Sequence, residues 1–347
     1  MNLLDFTTDE FKKILKLQGE NGNRASEVIK LIHQLGNIDI TTWRMFSKKF
    51  RDYLLKEAVF VIPKVIQELT SLDGTKKWLL ELLDHEHIEM VYIPDGDRGT
   101  LCISTQVGCP MGCQFCATGT LGFKRNLTLA EIIGQLWLAV RILSPDRTAK
   151  SHTITNIVFM GMGEPLLNLP NVLRAITLML SDCAYGLARN RVTVSSCGLV
   201  PELLQLKEQS DVALAISLHA PNDELRGQLM PVNRRYPLCE LLAVTDHYFT
   251  DPRRQVTIEY IMLRDVNDSL AHAHELAKLL ANGNYKINLI PGNAVSGKEF
   301  LPSVNEKIDA FRKVLLDAGY NTITRKTRGA EIAAACGQLV ARGSNEK

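Results

Sequence analysis

Three cysteines stand close together in Gly108-Cys109-Pro110-Met111-Gly112-Cys113-Gln114-Phe115-Cys116, a C-x-x-x-C-x-x-C spacing. A cubane iron–sulfur cluster needs a ligand on each of its four irons, so a three-cysteine loop leaves one iron open to bind something else. Structural zinc sites are closed by four protein ligands, and the roughly thirty residues after Cys116 hold no His or Cys to complete one. A redox C-x-x-C accounts for Cys113 and Cys116 but leaves Cys109 unexplained. The spacing therefore points to an open cluster ahead of zinc.

Other residues with chemical potential fall at the ends of short apolar runs. Gly161-Met162-Gly163-Glu164-Pro165 follows one run. Its glycines allow close backbone approach to a ligand, and Glu164 offers a carboxylate to an amine or a ribose. Ser195-Ser196-Cys197-Gly198, Ser217-Leu218-His219 and Asn293 close three further runs. Each alone is more often a turn with satisfied polar groups; together they describe a ligand pocket. Cys336, between Gly329 and Gly337 in an alanine-rich segment, and Cys102, in an apolar run seven residues before Cys109, have small buried packing as their default reading.

The elements that must position these residues change character along the chain. Residues 1 to about 75 read as helical: Thr8 precedes Asp9 and Glu10 as a helix start, Val28, Ile29, Ile32 and Leu35 recur at helical spacing, and residues 43–55 form a basic amphipathic stretch. Beyond residue 85, short apolar runs alternate with longer amphipathic ones. Strands are expected at 100–106, 156–160, 191–196, 212–218, 255–262 and 286–290, with helices at 128–143, 169–181, 201–208, 238–249, 269–281 and 303–317. That alternation implies parallel βαβ units. The fold class is therefore α/β, a barrel or partial barrel of six units over 85–340 behind a small helical accessory domain over 1–80, with its chemistry at the C-terminal strand ends.

Composition sets limits. The chain has 347 residues, 46% of them hydrophobic, and a net charge of +2, so a polyanionic partner must be met by local basic clusters. The first ten residues carry Asp5, Asp9 and Glu10 and no leader-like apolar core, and no apolar run approaches the ~18 residues that span a bilayer. The expectation is a cytoplasmic protein with no membrane association. In that compartment clustered cysteines mean metal or catalysis more often than a disulfide framework.

Taken together, the three-cysteine loop, Gly-Met-Gly-Glu-Pro-Leu at 161–166, Ser-Leu-His-Ala-Pro-Asn at 217–222 and Ala-Cys-Gly-Gln-Leu at 335–339 resemble the RlmN/Cfr group of radical S-adenosylmethionine RNA methyltransferases. The resemblance covers nearly the whole chain. It implies a [4Fe-4S] cluster on Cys109, Cys113 and Cys116, and S-adenosylmethionine held by Gly163, Glu164, Ser195, Ser217, Leu218, His219 and Asn293, with two molecules used per turnover. It implies that Cys336 is itself methylated and that Cys102 later forms a transient disulfide with it. It also implies that Glu89, in Ile88-Glu89-Met90, accepts a proton. The physical need is clear: a ring carbon bearing only hydrogen is a poor nucleophile, so a cofactor must supply a radical route. A thiolate can take the first methyl by ordinary displacement. A thiol must finally attack the Cys336 sulfur to free the product, leaving a disulfide to be reduced.

The resemblance further implies an RNA partner, large-subunit ribosomal RNA and in some members transfer RNA, an electron-donor protein and a monomer. Glu164-Pro165 and Arg325-Lys326-Thr327-Arg328-Gly329 stand closer to the branch that methylates adenine C2 than to the C8 branch. The segment 292–297 lacks the Asn-Pro pattern common in the C2 branch. Methylation at C8, a different RNA target, and a non-enzymatic metal-stabilised RNA-binding protein stay open as alternatives. Lys124, Arg125, Arg325, Lys326, Arg328 and the N-terminal helices are the groups available to phosphates. Cys183, Cys197 and Cys239 are expected to pack.

Overall fold

A computed structural model describes residues 1–144, 153–293 and 300–340. The sheet order follows from strand pairing. Helices α1 (Thr8–Leu17), α2 (Ala25–Ile29) and α3 (Lys48–Glu57) come first. Strands β1 (Lys64–Thr70), β2 (Lys76–Glu81), β3 (His87–Asp95) and β4 (Arg98–Cys102) follow as an antiparallel meander. A small hairpin, β5 (Gln106–Gly108) and β6 (Phe123–Asn126), brackets the three-cysteine loop. The chain then alternates: α4 (Leu129–Leu143), β7 (Asn156–Phe159), α5 (Leu169–Leu180), β8 (Val192–Ser196), α6 (Val200–Gln209) and β9 (Ala213–Ser217). It continues through α7 (Asp223–Leu229), α8 (Leu238–Thr245), β10 (Val256–Met262), α9 (Leu270–Leu279), β11 (Tyr285–Pro291), α10 (Asn305–Asp317) and β12 (Asn321–Thr324).

Ten strands form one sheet in the order β1-β2-β3-β4-β7-β8-β9-β10-β11-β12, parallel from β4 to β12. This is a parallel α/β sheet in a partial barrel, extended at one edge by antiparallel strands.

Two expectations change. The helical region stops at Glu57, because 64–70 forms β1. That strand lies at the sheet edge and carries Lys64, Gln67 and Glu68, which obscure its pattern. The run expected as one strand at 100–106 breaks after Cys102, and β5 leaves the main sheet to pair with β6.

Local chemistry explains the element starts. Thr7, one residue before the expected cap, closes a capping box with Glu10, and Thr128 does the same with Glu131 to launch α4. The N-terminal helices share one apolar core with the barrel. Trp137 of α4 donates its indole N–H to the Ile32 carbonyl at 2.9 Å, and the Arg141 guanidinium stacks over that ring. Among the described residues no helix is long and apolar enough to cross a membrane.

Candidate functional site

The three-cysteine loop is fastened at both ends. The Cys109 N–H donates to the Gly122 carbonyl at 2.9 Å, and the Gln114 N–H to the Leu229 carbonyl at 2.9 Å. The Ala117 N–H reaches across to the Gly337 carbonyl at 2.7 Å, next to Cys336. Cys109, Cys113 and Cys116 line one cavity that opens to solvent. Burial pushes the Cys109 thiol up to about 12 and raises Cys113 as well, so these thiols need a metal to bind as thiolates. Among the described residues no three His, Cys, Asp or Glu side chains are set around a single ion. Ligands of a multi-iron cluster each bind a different iron and need not converge on one point.

The strand ends supply the opposite wall. Gly161, Gly163, Glu164, Ser195, Ser217 and His219 line the same cavity. The glycines serve the protein's own packing. A Cβ on Gly161 would stand 2.6 Å from the Ile103 carbonyl, and one on Gly163, at φ 96°, 2.5 Å from Gln106. Glu164 is buried, which raises its pKa, and it accepts the N–H groups of Cys197 (2.9 Å) and Leu166 (3.1 Å). His219 sits in the left-handed region at φ 63°. Burial, then the nearby Arg226 charge, holds its imidazole down to about 3, so it is neutral. Its Nδ1 accepts the Ile261 N–H at 3.1 Å, which places its proton on Nε2.

Two expected cofactor contacts stand elsewhere. Leu218 is fully buried outside the cavity wall, with its N–H on the Glu259 carbonyl. Asn293 lines a second cavity, and its amide donates to the Cys336 carbonyl at 3.1 Å. Residues 294–297 of that loop lie outside the described residues.

Cys336 lines both cavities, and Cys102 lines the second with it. Both thiols are free. Burial, then the neighbouring Cys336, pushes the Cys102 thiol up to about 12. Cys102 stands opposite Val91 in the β3–β4 register, and Glu89 lies two residues back along β3, so Glu89 and Cys102 face the same side of the sheet. Glu89 is buried. Its Oε1 lies 3.0 Å from Lys77 Nζ and its Oε2 accepts the Val340 N–H at 2.9 Å.

Three contributors were invisible in the sequence. Lys77 is one. Arg226 is a second: fully buried, it spans the Cys197, Ser217 and Leu218 carbonyls and Asn233 Oδ1, with no carboxylate among these contacts. Its buried positive charge acts on Cys113 of the cysteine loop and suits an anionic cluster. Arg325, expected to meet phosphate, lines both cavities beside Cys336 instead. The basic pair by the loop is also committed: Lys124 pairs with Glu86 at 2.7 Å, and Arg125 with Asp84 and Glu131 at 2.7 and 2.8 Å. Of the remaining cysteines, Cys183 and Cys239 lie outside both cavities, whereas Cys197 lines the first.

The radical SAM superfamily model matches residues 103–277. The chain is 47% identical over 342 residues to the dual-specificity RNA methyltransferase RlmN of Saccharophagus degradans, covering 98% of this chain and 86% of that one. A crystal structure of a radical SAM methyltransferase from Sphaerobacter thermophilus superposes with a TM-score of 0.90 at 38% identity, covering 99% of this chain and all of that one.

Proposed function

Because the chain belongs to the radical SAM superfamily, and within it to the RlmN family of RNA methyltransferases, we propose that it methylates carbon C2 of an adenine in RNA by way of a methyl group first carried on Cys336. The observation that carries this reading is the position of Cys336. It lies in the wall shared by the cavity of the cysteine loop and the cavity of Cys102. One face gives it access to a methyl donor and the other to a resolving thiol.

Cys109, Cys113 and Cys116 would hold a [4Fe-4S] cluster, and the lining from Gly163 to His219 would receive S-adenosylmethionine. When bound, this pair supplies a methyl group and, from a second S-adenosylmethionine, one-electron chemistry. The protein's own groups do the rest. The Cys336 sulfur accepts the methyl group, and Asn293 fixes that residue's carbonyl. Glu89 takes the ring proton of the RNA adduct on one of its remaining lone pairs, and the adduct's unpaired electron leaves to the one-electron acceptor that the bound cluster would provide. Cys102 attacks the Cys336 sulfur. The S–S bond forms as the C–S bond breaks, the electron pair goes to the departing carbon, and a proton completes the methyl group. An external dithiol then reduces the disulfide.

The targets are adenosines in large-subunit ribosomal RNA and transfer RNA. The dual specificity named for the Saccharophagus relative and the motifs at 161–166 and 335–339 support this. The target adenine must leave its stack to reach Cys336. The enzyme works as a cytoplasmic monomer served by an electron-donor protein, with the N-terminal helices up to Glu57 as an accessory RNA-binding element. Reconstituted protein given methyl-labelled S-adenosylmethionine and bulk RNA tests the reading: label in 2-methyladenosine is expected, and no label in any RNA base contradicts it.

A further inference from the structure

Lys77 is a buried lysine, the second residue of β2, with its side chain 9% exposed and that of its partner Glu89 4% exposed. The register puts Lys77 opposite Val91, and Val91 opposite Cys102, so the three form one row on one face of the sheet. From that row the ammonium reaches two groups. It lies 3.0 Å from Glu89 Oε1 and donates to the Ala333 carbonyl at 3.2 Å.

Ala333 matters because it is strained. Its φ of 50° lies in the left-handed region, which non-glycine residues seldom adopt. It ends the turn Ala330–Ile332, three residues before Cys336. Such a conformation persists only where its surroundings fix it, and Lys77 is one of the groups that do. On the other side of the carboxylate, Val340 closes the same loop. Lys77 and Val340 together leave Glu89 little freedom to turn.

Stability alone does not account for this arrangement. Burying an ion pair costs desolvation that its Coulomb attraction only partly offsets, and apolar replacements of such pairs are often neutral or better. We propose that Lys77 is a positioning residue for the resolution half of the reaction, because it both aims the Glu89 carboxylate and ties that carboxylate to the strained turn leading to Cys336. The proposal rests on Glu89 being the proton acceptor. Lys77 does not line the first cavity, and its two polar partners, Glu89 and Ala333, do not line it either, so methyl loading of Cys336 does not depend on it.

The test uses full-length reconstituted Lys77→Met and Glu89→Gln proteins with S-adenosylmethionine, reductant and substrate RNA. Cys336 methylation is read by peptide mass spectrometry and the covalent RNA adduct by gel. Lys77→Met is expected to load Cys336 as the wild type does, to form the adduct, and to resolve it more slowly, on the order of tenfold. Lys77→Arg, which keeps the charge, is expected to restore part of the rate. Wild-type resolution by Lys77→Met, while Glu89→Gln accumulates adduct, overturns the role of Lys77 and leaves that of Glu89 standing. Wild-type resolution by Glu89→Gln removes both. Equal loss of loading and adduct in Lys77→Met shows a purely structural role and also overturns the proposal. If Lys77→Met is insoluble, Lys77→Gln, which keeps a donor without the charge, carries the same outcomes.

Discussion

The main-chain N–H of Val340 donates to Glu89 at 2.9 Å, which fastens the chain just beyond Cys336 to the strand that carries the candidate base. Asn293 holds the Cys336 carbonyl and Ala117 holds that of Gly337. The segment bearing the thiol is therefore pinned at Cys336 and just after it, and Cys336 lines both cavities from one fixed backbone. Pinning of this kind lowers the entropy cost of bringing reacting groups together.

Substitution separates the roles of the cysteines. Cys336→Ala is expected to keep its iron and lose RNA methylation, because Cys336 lies outside the three-cysteine loop. Alanine at Cys109, Cys113 or Cys116 is expected to lose both. Cys239→Ala, at an exposed position, serves as the control and is expected to change neither. Iron and sulfide analysis alongside nucleoside mass spectrometry reads all of these.

The resolving step is expected to depend steeply on pH. With the Cys102 thiol pushed up to about 12, mainly by burial, it is protonated at neutral pH. Only the thiolate attacks a sulfur. The thiolate fraction rises about tenfold per pH unit below the pKa. Single-turnover decay of the RNA adduct between pH 7 and 9 is expected to accelerate by that factor per unit. A flat profile contradicts thiol attack as the slow step.

Gly163→Ala is expected to damage the first cavity. The new Cβ meets Gln106 at 2.5 Å, and the φ of 96° is unfavourable for alanine, a strain of about 1–3 kcal/mol. Weaker S-adenosylmethionine binding by equilibrium dialysis, with the iron content kept, is the expected result.

The motifs that carry chemistry were legible because they are short and contiguous: the cysteine loop, residues 161–166, 217–219 and 335–339. The parallel strands were legible because burial on both faces makes each a compact apolar run. The rest was hidden for physical reasons. β1 is a charged edge strand, and β12, Asn321–Thr324, is four residues long. Lys77 reads as an ordinary strand lysine until the register places it beside Glu89. Arg226 reads as an exposed helix residue until its guanidinium is seen holding two strand ends. Arg325, expected to face RNA phosphate, could be placed beside Cys336 only by three-dimensional pairing.

Acid lability is expected from a residue far from the chemistry. His33 is buried against Tyr185, with Nδ1 3.1 Å from the phenol oxygen. Burial, then the Arg141 charge, holds its pKa down to about 3. The unfolded chain binds a proton at this residue below about pH 6.5 while the folded chain does not, so stability falls as pH drops from 6.5 towards 3. At pH 5 the loss is about 2 kcal/mol. Denaturant midpoints at pH 7 and pH 5 are expected to differ less in His33→Phe than in the wild type.

The central claim is that the methyl carbon passes to RNA while still attached to Cys336. Its most direct test is Cys102→Ala protein incubated anaerobically with S-adenosylmethionine, reductant and RNA, then digested with protease and nuclease for mass spectrometry. The expected result is a peptide spanning Cys336 joined through a methylene group to adenosine at C2. Free methylated RNA at wild-type yield, with no RNA-linked Cys336 peptide, contradicts it.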